Sequence, residues 1–284
     1  MTNYRISTNK SISNLTSKPL VIKKLSHFIV LILIGNNLIN GQNKISYYID
    51  TNLDYEARKL KITQNISFKN ISSQELDTLC FTDWSNAYSS VKSPLAQRIV
   101  EEYDRSFYLS NRSKFGRTSI NSFKVNGKDI DWNRLNNQPD IIQVILNNKI
   151  DSETVINVEI QYEVIIPDDK FTGYGYNTKG DVFLRFWHIA LSPIYDNEWR
   201  NYSHLNLDDY SVQAADYQMR LTVPEGIDVK SNLQRGKEQD NAIYFYGTQN
   251  REASLYFEKN NKLQTFETVD DRIFITDIFK KTEN

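Results

Sequence analysis

Residues 155–166 read VINVEIQYEVII, and Pro167 follows them directly. Apolar residues occupy every second position of this run, which is the period of a β-strand with one buried face and one solvated face. Pro167 ends the strand, because proline cannot donate a hydrogen bond to a neighbouring strand. Similar short runs separated by turn signals recur along the chain. This pattern predicts a mainly β domain, either a sandwich or a saddle-like sheet.

The composition and local signals support the same fold class. The chain has 284 residues with 17 Tyr and 14 Phe, and aromatic residues favour strands. Asn126-Gly127 is a strong two-residue hairpin signal, and a slip in the alternation near Asn65 suggests a β-bulge. One short helix is predicted over residues 94–103, with Ser93 as its N-cap. Strands are predicted over residues 45–50, 58–71, 76–84, 119–125, 128–132, 141–146, 154–166, 182–190, 217–223, 229–233, 243–246, 253–258 and 272–276.

Residues 1–41 are interpreted as a leader that precedes one domain over residues 42–284. The leader contains basic residues and no acidic residue, and an apolar stretch, FIVLILI, at residues 28–34. This stretch is too short to span a bilayer as a helix, so a signal peptide with an apolar leader helix is predicted. The alternative is an uncleaved anchor, which would be the protein's only membrane attachment. A single cysteine, Cys80, excludes an intrachain disulfide and favours a bacterial periplasmic or secreted location.

Charge and histidine content exclude two function classes. The net charge of −1 gives no electrostatic footprint for nucleic acid. The three histidines, His27, His188 and His204, are not arranged as H-E-x-x-H, so the zinc site of a zincin peptidase is absent from this sequence. We therefore predict no catalytic residue. His188 lies between Trp187 and Ile189 and is interpreted as a core histidine held by one backbone hydrogen bond.

Two weaker site candidates remain. His204, Asp208 and Asp209 fall in one short stretch and could contribute metal ligands, although a solvated loop explains them as well. Tyr174 and Tyr176 lie in the glycine-containing stretch 168–180 and are predicted to be exposed contacts for a peptide or a glycan. The neighbouring aromatic residues are interpreted as sheet core instead: Phe183, Phe186 and Trp187.

The order of several short motifs resembles the N-terminal β domain of aminopeptidase N-type zinc metallopeptidases. The similarity extends over most of residues 43–284, and it rests on the order and spacing of the motifs, since each alone is common in β proteins. The motifs are YID at 48–50, ISFKN at 66–70, LDTL at 76–79, FTDWSNAY at 81–88, SFKVNG at 122–127, FWHIALSPIYDNEW at 186–199 and DYQMRLTVP at 216–224.

The resemblance implies a saddle-shaped sheet that packs against a catalytic domain. The family's G-x-M-E-N and H-E-x-x-H motifs are absent here, so the resemblance places zinc in a catalytic domain that this sequence lacks, and no cofactor in this chain. We expect a non-catalytic accessory domain, truncated or split from an exported metallopeptidase, whose partner is a catalytic domain or another envelope protein. The alternative is a stand-alone cell-envelope β-sandwich module that binds peptide or glycan. An enzyme with an unrecognised site is the weakest hypothesis, because no nucleophile–base–acid set is visible.

Overall fold

The computed structural model describes residues 45–207 and 212–259. Every described residue belongs to one compact unit, Asn43–Asn284. The predicted leader, Asp208, Asp209 and the predicted strand at 272–276 lie outside the described residues. Within the described ranges, no helix is long and apolar enough to cross a membrane.

Strands dominate the described residues, as predicted, and one short α-helix accompanies them. The helix is α1 (Pro94–Glu101), and 3₁₀ helices cover Trp84–Ser89, Arg112–Lys114 and Asp169–Phe171. The strands are β1 (Ile45–Asp54), β2 (Lys59–Lys69), β3 (Leu76–Thr82), β4 (Arg117–Val125), β5 (Lys128–Asp129), β6 (Trp132–Leu135), β7 (Gln138–Ile150), β8 (Val155–Ile165), β9 (Gly175–Tyr176), β10 (Val182–Leu184), β11 (Ala190–Leu191), β12 (Ile194–Tyr195), β13 (Glu198–Trp199), β14 (Ala215–Thr222), β15 (Ile227–Ser231), β16 (Gln234–Gln239), β17 (Ala242–Asn250) and β18 (Leu255–Lys259).

An eight-stranded sheet forms the largest layer, with the strand order β16-β17-β14-β1-β2-β8-β4-β5. β1 and β14 pair in parallel, and the other neighbours in this sheet pair antiparallel. Two four-stranded sheets, β15-β18-β10-β9 and β11-β3-β7-β6, and the small β12-β13 hairpin complete the architecture. Residues of the eight-stranded sheet and of both four-stranded sheets share one apolar core, which is the layered packing expected of a sandwich.

Alternation along the strands places the core on one face of the large sheet. Ile156, Val158 and Ile160 on β8 are fully buried, whereas Asn157 and Glu159 between them are exposed. The bulge predicted near Asn65 is wrong, because β2 pairs with β1 and β8 in an unbroken register. The position that seemed to break the alternation is Gln64, a buried amide that donates to the Ile189 carbonyl at 2.6 Å and accepts from the Tyr162 hydroxyl. A polar residue with both groups satisfied can occupy a core position of a strand.

A second, smaller apolar core lies under α1. Leu95, Ala96 and Ile99 point inward and join Phe107 and Phe171 there. Ser93 caps the helix as predicted, since its hydroxyl accepts from the Ala96 amide at 3.2 Å. The helix ends at Glu101, before the predicted boundary.

Two further predictions concern chain reversals. The Asn126-Gly127 hairpin is confirmed: both residues have positive φ, 50° and 75°, and they join β4 to β5. The continuous strand predicted over residues 182–190 is wrong. β10 ends at Leu184, and Phe186 has a φ of 47°, a left-handed conformation that interrupts the extended backbone before β11.

Candidate functional site

A buried polar cluster lies beside the 3₁₀ helix Trp84–Ser89. We call it the Asp83–Asp140–His204 cluster, after its three titratable residues with the least exposure to solvent. Asp83 precedes the 3₁₀ helix, Asp140 lies on β7, and His204 follows β13. All three are almost completely buried, at 1%, 0% and 3% exposure. Buried ionisable groups cost free energy unless hydrogen bonds and opposite charges compensate, so the contacts of each residue decide what the cluster can do.

Asp83 is compensated by an ion pair and a hydroxyl. Its carboxylate contacts the Arg134 guanidinium at 2.8 Å and accepts from the Thr118 hydroxyl at 2.7 Å. Burial raises the pKa of Asp83 above its ordinary value, and the Arg134 charge and the Thr118 hydrogen bond oppose that rise. Arg134 also donates to the Pro139 carbonyl at 2.6 Å. The ion pair therefore ties the start of the 3₁₀ helix to β6, and the Thr118 hydrogen bond ties it to β4.

Asp140 holds the segment that follows β13. One carboxylate oxygen accepts from the Ser203 hydroxyl at 2.9 Å, and the other accepts from the His204 amide at 2.7 Å. Burial raises the pKa of Asp140 to about 6, although both hydrogen bonds favour the ionised form. These contacts make Asp140 an anchor for the backbone of residues 203–204.

His204 is a neutral, packed imidazole. Its ring stacks on Trp84 with centroids 5.7 Å apart, and its Nε2 lies 3.0 Å from the Tyr88 hydroxyl. The Asn206 amide donates to Nδ1, which favours the tautomer with its proton on Nε2. Burial and, secondarily, the Arg185 charge lower the pKa of His204 to about 3.

The metal hypothesis for this region stays a prediction. Asp208 and Asp209, the two carboxylates predicted to accompany His204, lie outside the described residues. Within residues 45–207 and 212–259, no group of three or more His, Cys, Asp or Glu side chains is placed to hold a metal ion. Both ring nitrogens of His204 have hydrogen-bond partners, so coordination would have to displace one of them.

Tyr174 is half-buried, and an arginine side chain holds its hydroxyl in place. Its hydroxyl accepts from Arg185 at 2.9 Å, and Arg185 in turn pairs with Glu252 at 2.8 Å. Its ring meets Phe183 edge to face with centroids 5.3 Å apart. The hydroxyl and the ring of Tyr174 therefore already have partners within the protein, and its binding role stays a prediction.

The expected exposure of Tyr176 is wrong. Tyr176 is only 3% exposed, its hydroxyl donates to the Tyr55 carbonyl at 2.9 Å, and Arg58 lies over its ring at 4.8 Å. Gly175 makes this inward turn feasible, because its φ is 127° and a Cβ there would overlap the Pro167 carbonyl. The glycines that suggested an open loop instead allow the loop to fold back on the core.

The structure confirms the interpretation of His188 as a core histidine, and it buries Cys80 as well. His188 is 5% exposed and its Nδ1 contacts the Ile189 carbonyl at 3.1 Å, while burial lowers its pKa to about 4. Cys80 is buried, and the Asn201 side-chain amide donates to its sulfur at 3.6 Å. Burial raises the pKa of its thiol to about 11, which disfavours the reactive thiolate. Both side chains therefore have a structural role in the interior of the domain.

The chemistry available to the polar cluster is structural. Thr118 donates to Asp83 and Ser203 donates to Asp140, but both carboxylates are sealed from solvent. A general base must reach the proton of a bound substrate, and neither carboxylate does so here. Asp83, Arg134 and Asp140 were not among the predicted site residues, because a single acidic or basic residue carries no sequence signal of burial.

An exposed apolar segment begins in the last turn of α1 and continues beyond it. We call Val100–Leu109 the exposed segment. It carries Tyr103 at 97% exposure and Leu109 at 83%, with Tyr108 and Val100 also exposed. Sequence reasoning placed only the end of a helix here. Its outward apolar side chains stand on the small core beneath α1, where Phe107 is fully buried.

Comparisons with known proteins give matches among solved structures alone. No family model matches the chain, and no curated protein matches it. A two-domain M1 zinc metallopeptidase E323A mutant bound to L-tryptophan matches with 13% identity over 76% of this chain, at a TM-score of 0.44. The M1 zinc metallopeptidase from Deinococcus radiodurans matches with 12% identity, also over 76% of this chain and at a TM-score of 0.44. Native yeast LTA4 hydrolase matches with 10% identity over the same share, at a TM-score of 0.44.

The first two of these structures are M1 zinc metallopeptidases. The sequence motifs predicted a resemblance to that same class. The chain spans 43% of the length of the two-domain protein, 43% of the Deinococcus protein and 28% of yeast LTA4 hydrolase, which is less than half of each.

Proposed function

We propose that this chain is a non-catalytic accessory β domain that docks on the catalytic domain of a zinc metallopeptidase. The observation that carries the proposal is the exposed segment, Val100–Leu109. Monomeric soluble proteins expose few contiguous apolar side chains, and an exposed apolar patch rimmed by polar residues is typical of a protein interface. The choice of partner rests on the ordered motifs that resemble aminopeptidase N-type enzymes.

The backbone of the exposed segment supports an outward role for Tyr103. The Tyr103 amide donates to the Val100 carbonyl, and the Asp104 amide donates to the Ile99 carbonyl, which together form a Schellman motif at the end of α1. Tyr103 has a φ of 63° at the position that glycine usually occupies in this motif. A left-handed tyrosine costs about 1–2 kcal/mol relative to ordinary backbone. Because the Tyr103 side chain is almost fully exposed, its contacts within this chain do not offset the cost of the left-handed backbone. Contact with a partner would explain why a tyrosine occupies this position.

The rim of the segment fits an interface as well. Arg98 pairs with Glu102 at 2.8 Å, and Asp104 caps the following turn by accepting from the Ser106 amide at 2.6 Å. Charged side chains therefore flank the aromatic and aliphatic ones. Exposed tyrosines with charged neighbours are usual in protein–protein interfaces. Export through the predicted leader is part of the proposal and is independent of this geometry.

Photo-cross-linking tests the docking partner. The full chain, with p-benzoylphenylalanine in place of Tyr103, is expressed in cells of its source organism and cross-linked proteins are identified by mass spectrometry. We expect adducts with a protein that contains H-E-x-x-H. The matched control places the same probe at Tyr195, which is 52% exposed on β12 and lies outside the segment. Adducts only with proteins that lack a zinc motif, or equal adducts from both positions, would contradict the proposal.

A second measurement tests the non-catalytic part. The purified full chain with added Zn²⁺ is incubated with a panel of fluorogenic aminoacyl substrates, and no turnover is expected. Turnover that disappears in His204→Ala, while that variant keeps its unfolding midpoint, would mean that the chain holds its own zinc site. In that case the proposed accessory role would be wrong.

A further inference from the structure

The open face of the eight-stranded sheet carries a row of side chains that the proposed function does not use. The strand registers place Tyr246, Gln218, Tyr48, Asn65 and Glu159 side by side across β17, β14, β1, β2 and β8. All of them alternate with core residues and point to the solvated face; Tyr48 is 46% exposed and Tyr246 is 45% exposed.

A second row of side chains lies beside the first on the same face of the sheet. Asp216, Ser46, Ser67 and Asn157 are side by side on β14, β1, β2 and β8. Together with Gln218, Tyr48, Asn65 and Glu159 of the first row, these residues line a groove of about 530 Å³ around Tyr48. Tyr246 lies beyond the groove, at the end of the first row. The Asp216 carboxylate is held in place by the Gln249 amide at 3.1 Å. The floor of the groove belongs to a continuous sheet, so it is positioned by backbone pairing on both sides.

The side chains that line the groove indicate which class of ligand it can bind. Amides, hydroxyls, two carboxylates and the Tyr48 ring line the groove, and none of its described lining residues is Lys, Arg or His. Glu159 has Lys124 beside it on β4, so Asp216 is the carboxylate that leaves the groove negative and disfavours phosphates, sulfates and nucleic acid. Amides and hydroxyls each offer donors and acceptors, which match the hydroxyl groups of a neutral sugar. An aromatic ring with an exposed face provides a rigid contact surface at low entropic cost.

The position of the groove disfavours recognition of a peptide main chain. Peptides that bind sheets by strand addition need an unpaired edge, where backbone amides and carbonyls are available. Here β1, β2, β14 and β8 are interior strands of the eight-stranded sheet, and each is paired on both sides. Recognition must therefore use side chains alone.

The spacing of the two tyrosines suggests a ligand longer than one sugar. Tyr48 and Tyr246 lie in the same row with β14 between them. Neighbouring strands lie about 4.8 Å apart, so the backbones of the two residues are about 10 Å apart across the sheet. The Tyr246 ring covers Gly236 on β16, on the side away from Tyr48, so the two rings are at least that far apart. Two aromatic contacts at that distance fit a chain of several rings better than a monosaccharide.

We propose that the groove around Tyr48 on the open face of the eight-stranded sheet binds a neutral oligosaccharide chain. Tyr48 and Tyr246 contact the apolar faces of sugar rings. Asn65, Asn157 and Gln218 exchange hydrogen bonds with ring hydroxyls. The groove shares no residue with the exposed segment, so this proposal does not depend on docking to a catalytic domain.

Calorimetric titration of the full chain tests the site. The probes are cellohexaose, xylohexaose, maltohexaose and N-acetylchitohexaose, each up to low-millimolar concentration, with a heparin-derived hexasaccharide as the anionic comparison. We expect at least one neutral hexasaccharide to bind and the heparin fragment not to bind. Tyr48→Ala is expected to weaken that binding by about tenfold or more, which is a typical loss for an aromatic stacking contact.

Matched variants separate stacking from folding. Tyr48→Phe keeps the ring and is expected to retain binding within about twofold, since only the hydroxyl is lost. Tyr195→Ala removes a comparably exposed tyrosine away from the groove and is expected to bind like the original chain. The proposal is overturned if none of the neutral hexasaccharides binds, if the heparin fragment binds as tightly, or if Tyr48→Ala binds unchanged. It is also overturned if Tyr195→Ala loses as much affinity as Tyr48→Ala.

Discussion

The large apolar core and the Asp83–Asp140–His204 cluster are equally inaccessible to water but are stabilised differently. In the core, Ile160, Val158 and Val144 are fully buried and need no specific partner, since apolar burial is non-directional. In the cluster, each buried group depends on a particular donor, acceptor or charge, such as Arg134 for Asp83. The comparison implies that a substitution in the core loses free energy in proportion to the volume removed. A substitution in the cluster loses free energy according to what it leaves unpaired.

Asp83→Ala should have the largest effect on stability. It leaves the Arg134 guanidinium and the Thr118 hydroxyl without their acceptor, and breaking a buried ion pair from one side typically costs about 3–5 kcal/mol. Because Arg134 keeps some contact with water, we expect a loss of about 3–4 kcal/mol. Chemical denaturation at neutral pH measures it.

The double variant Asp83→Ala/Arg134→Met tests the reason for that loss. Removing both charges leaves no unpaired ion, so the double variant should be more stable than Asp83→Ala alone. Equal or lower stability of the double variant would show that the loss comes from packing, and the contrast between core and cluster would fail at this position.

Ile160→Ala should destabilise the protein by about 3 kcal/mol. The residue is fully buried on β8, and truncation removes apolar contacts and leaves a cavity. Since no ionisable group is changed, the loss should be the same at pH 5 and pH 7. Val155→Ala is a matched control, because Val155 is 56% exposed on the same strand and should change stability little. A strong pH dependence of the Ile160→Ala loss would contradict this account.

Buried ionisable groups should make stability depend on pH in two opposite directions, with His188 and His204 acting in one direction and Asp140 in the other. Burial lowers the pKa of His188 to about 4 from an ordinary 6.5, so between these values the unfolded chain binds a proton that the folded chain excludes. Stability due to His188 is therefore complete above pH 6.5 and is lost as the pH falls towards 4. For Asp140 the pKa is raised from 3.8 to about 6, so the folded chain holds the proton in that window. Its contribution therefore improves as the pH falls from 6 to 4.

Two neutral variants separate these contributions. His188→Asn should flatten the loss of stability between pH 6.5 and 4 by roughly 2 kcal/mol, and Asp140→Asn should steepen it by a similar amount. Urea unfolding at several pH values measures both slopes. Parallel pH profiles for the two variants would show that neither group titrates between its folded and unfolded pKa values.

The same contrast explains which parts of the fold the sequence could predict. The strands β2 and β8 follow from alternation, and the hairpin at Asn126-Gly127 follows from local backbone preferences. Gln64 was misinterpreted because alternation records polarity alone, while burial of an amide depends on Tyr162 and Ile189, which are distant in sequence. Asp83 and Asp140 were missed for the same reason. Tyr176 was predicted to be exposed because its glycine neighbour signals a turn but not the direction of that turn.

The smallest expected effect concerns the exposed segment, where stability and binding should change in opposite directions. Tyr103→Gly places the preferred residue at the left-handed position that ends α1 and relieves about 1–2 kcal/mol. The greater freedom of glycine in the unfolded chain offsets about 0.5–1 kcal/mol of this gain. We expect a net stabilisation of about 0.5 kcal/mol, seen as a higher denaturation midpoint. Because Tyr103 itself is replaced, the cross-linking probe is moved to Tyr108, and we expect the adduct with the partner to be lost. Tyr103→Ala keeps the backbone cost and removes the ring, so it should lose the partner without gaining stability. If Tyr103→Gly destabilises the protein, the ring contributes to folding, and its exposure no longer supports a docking role.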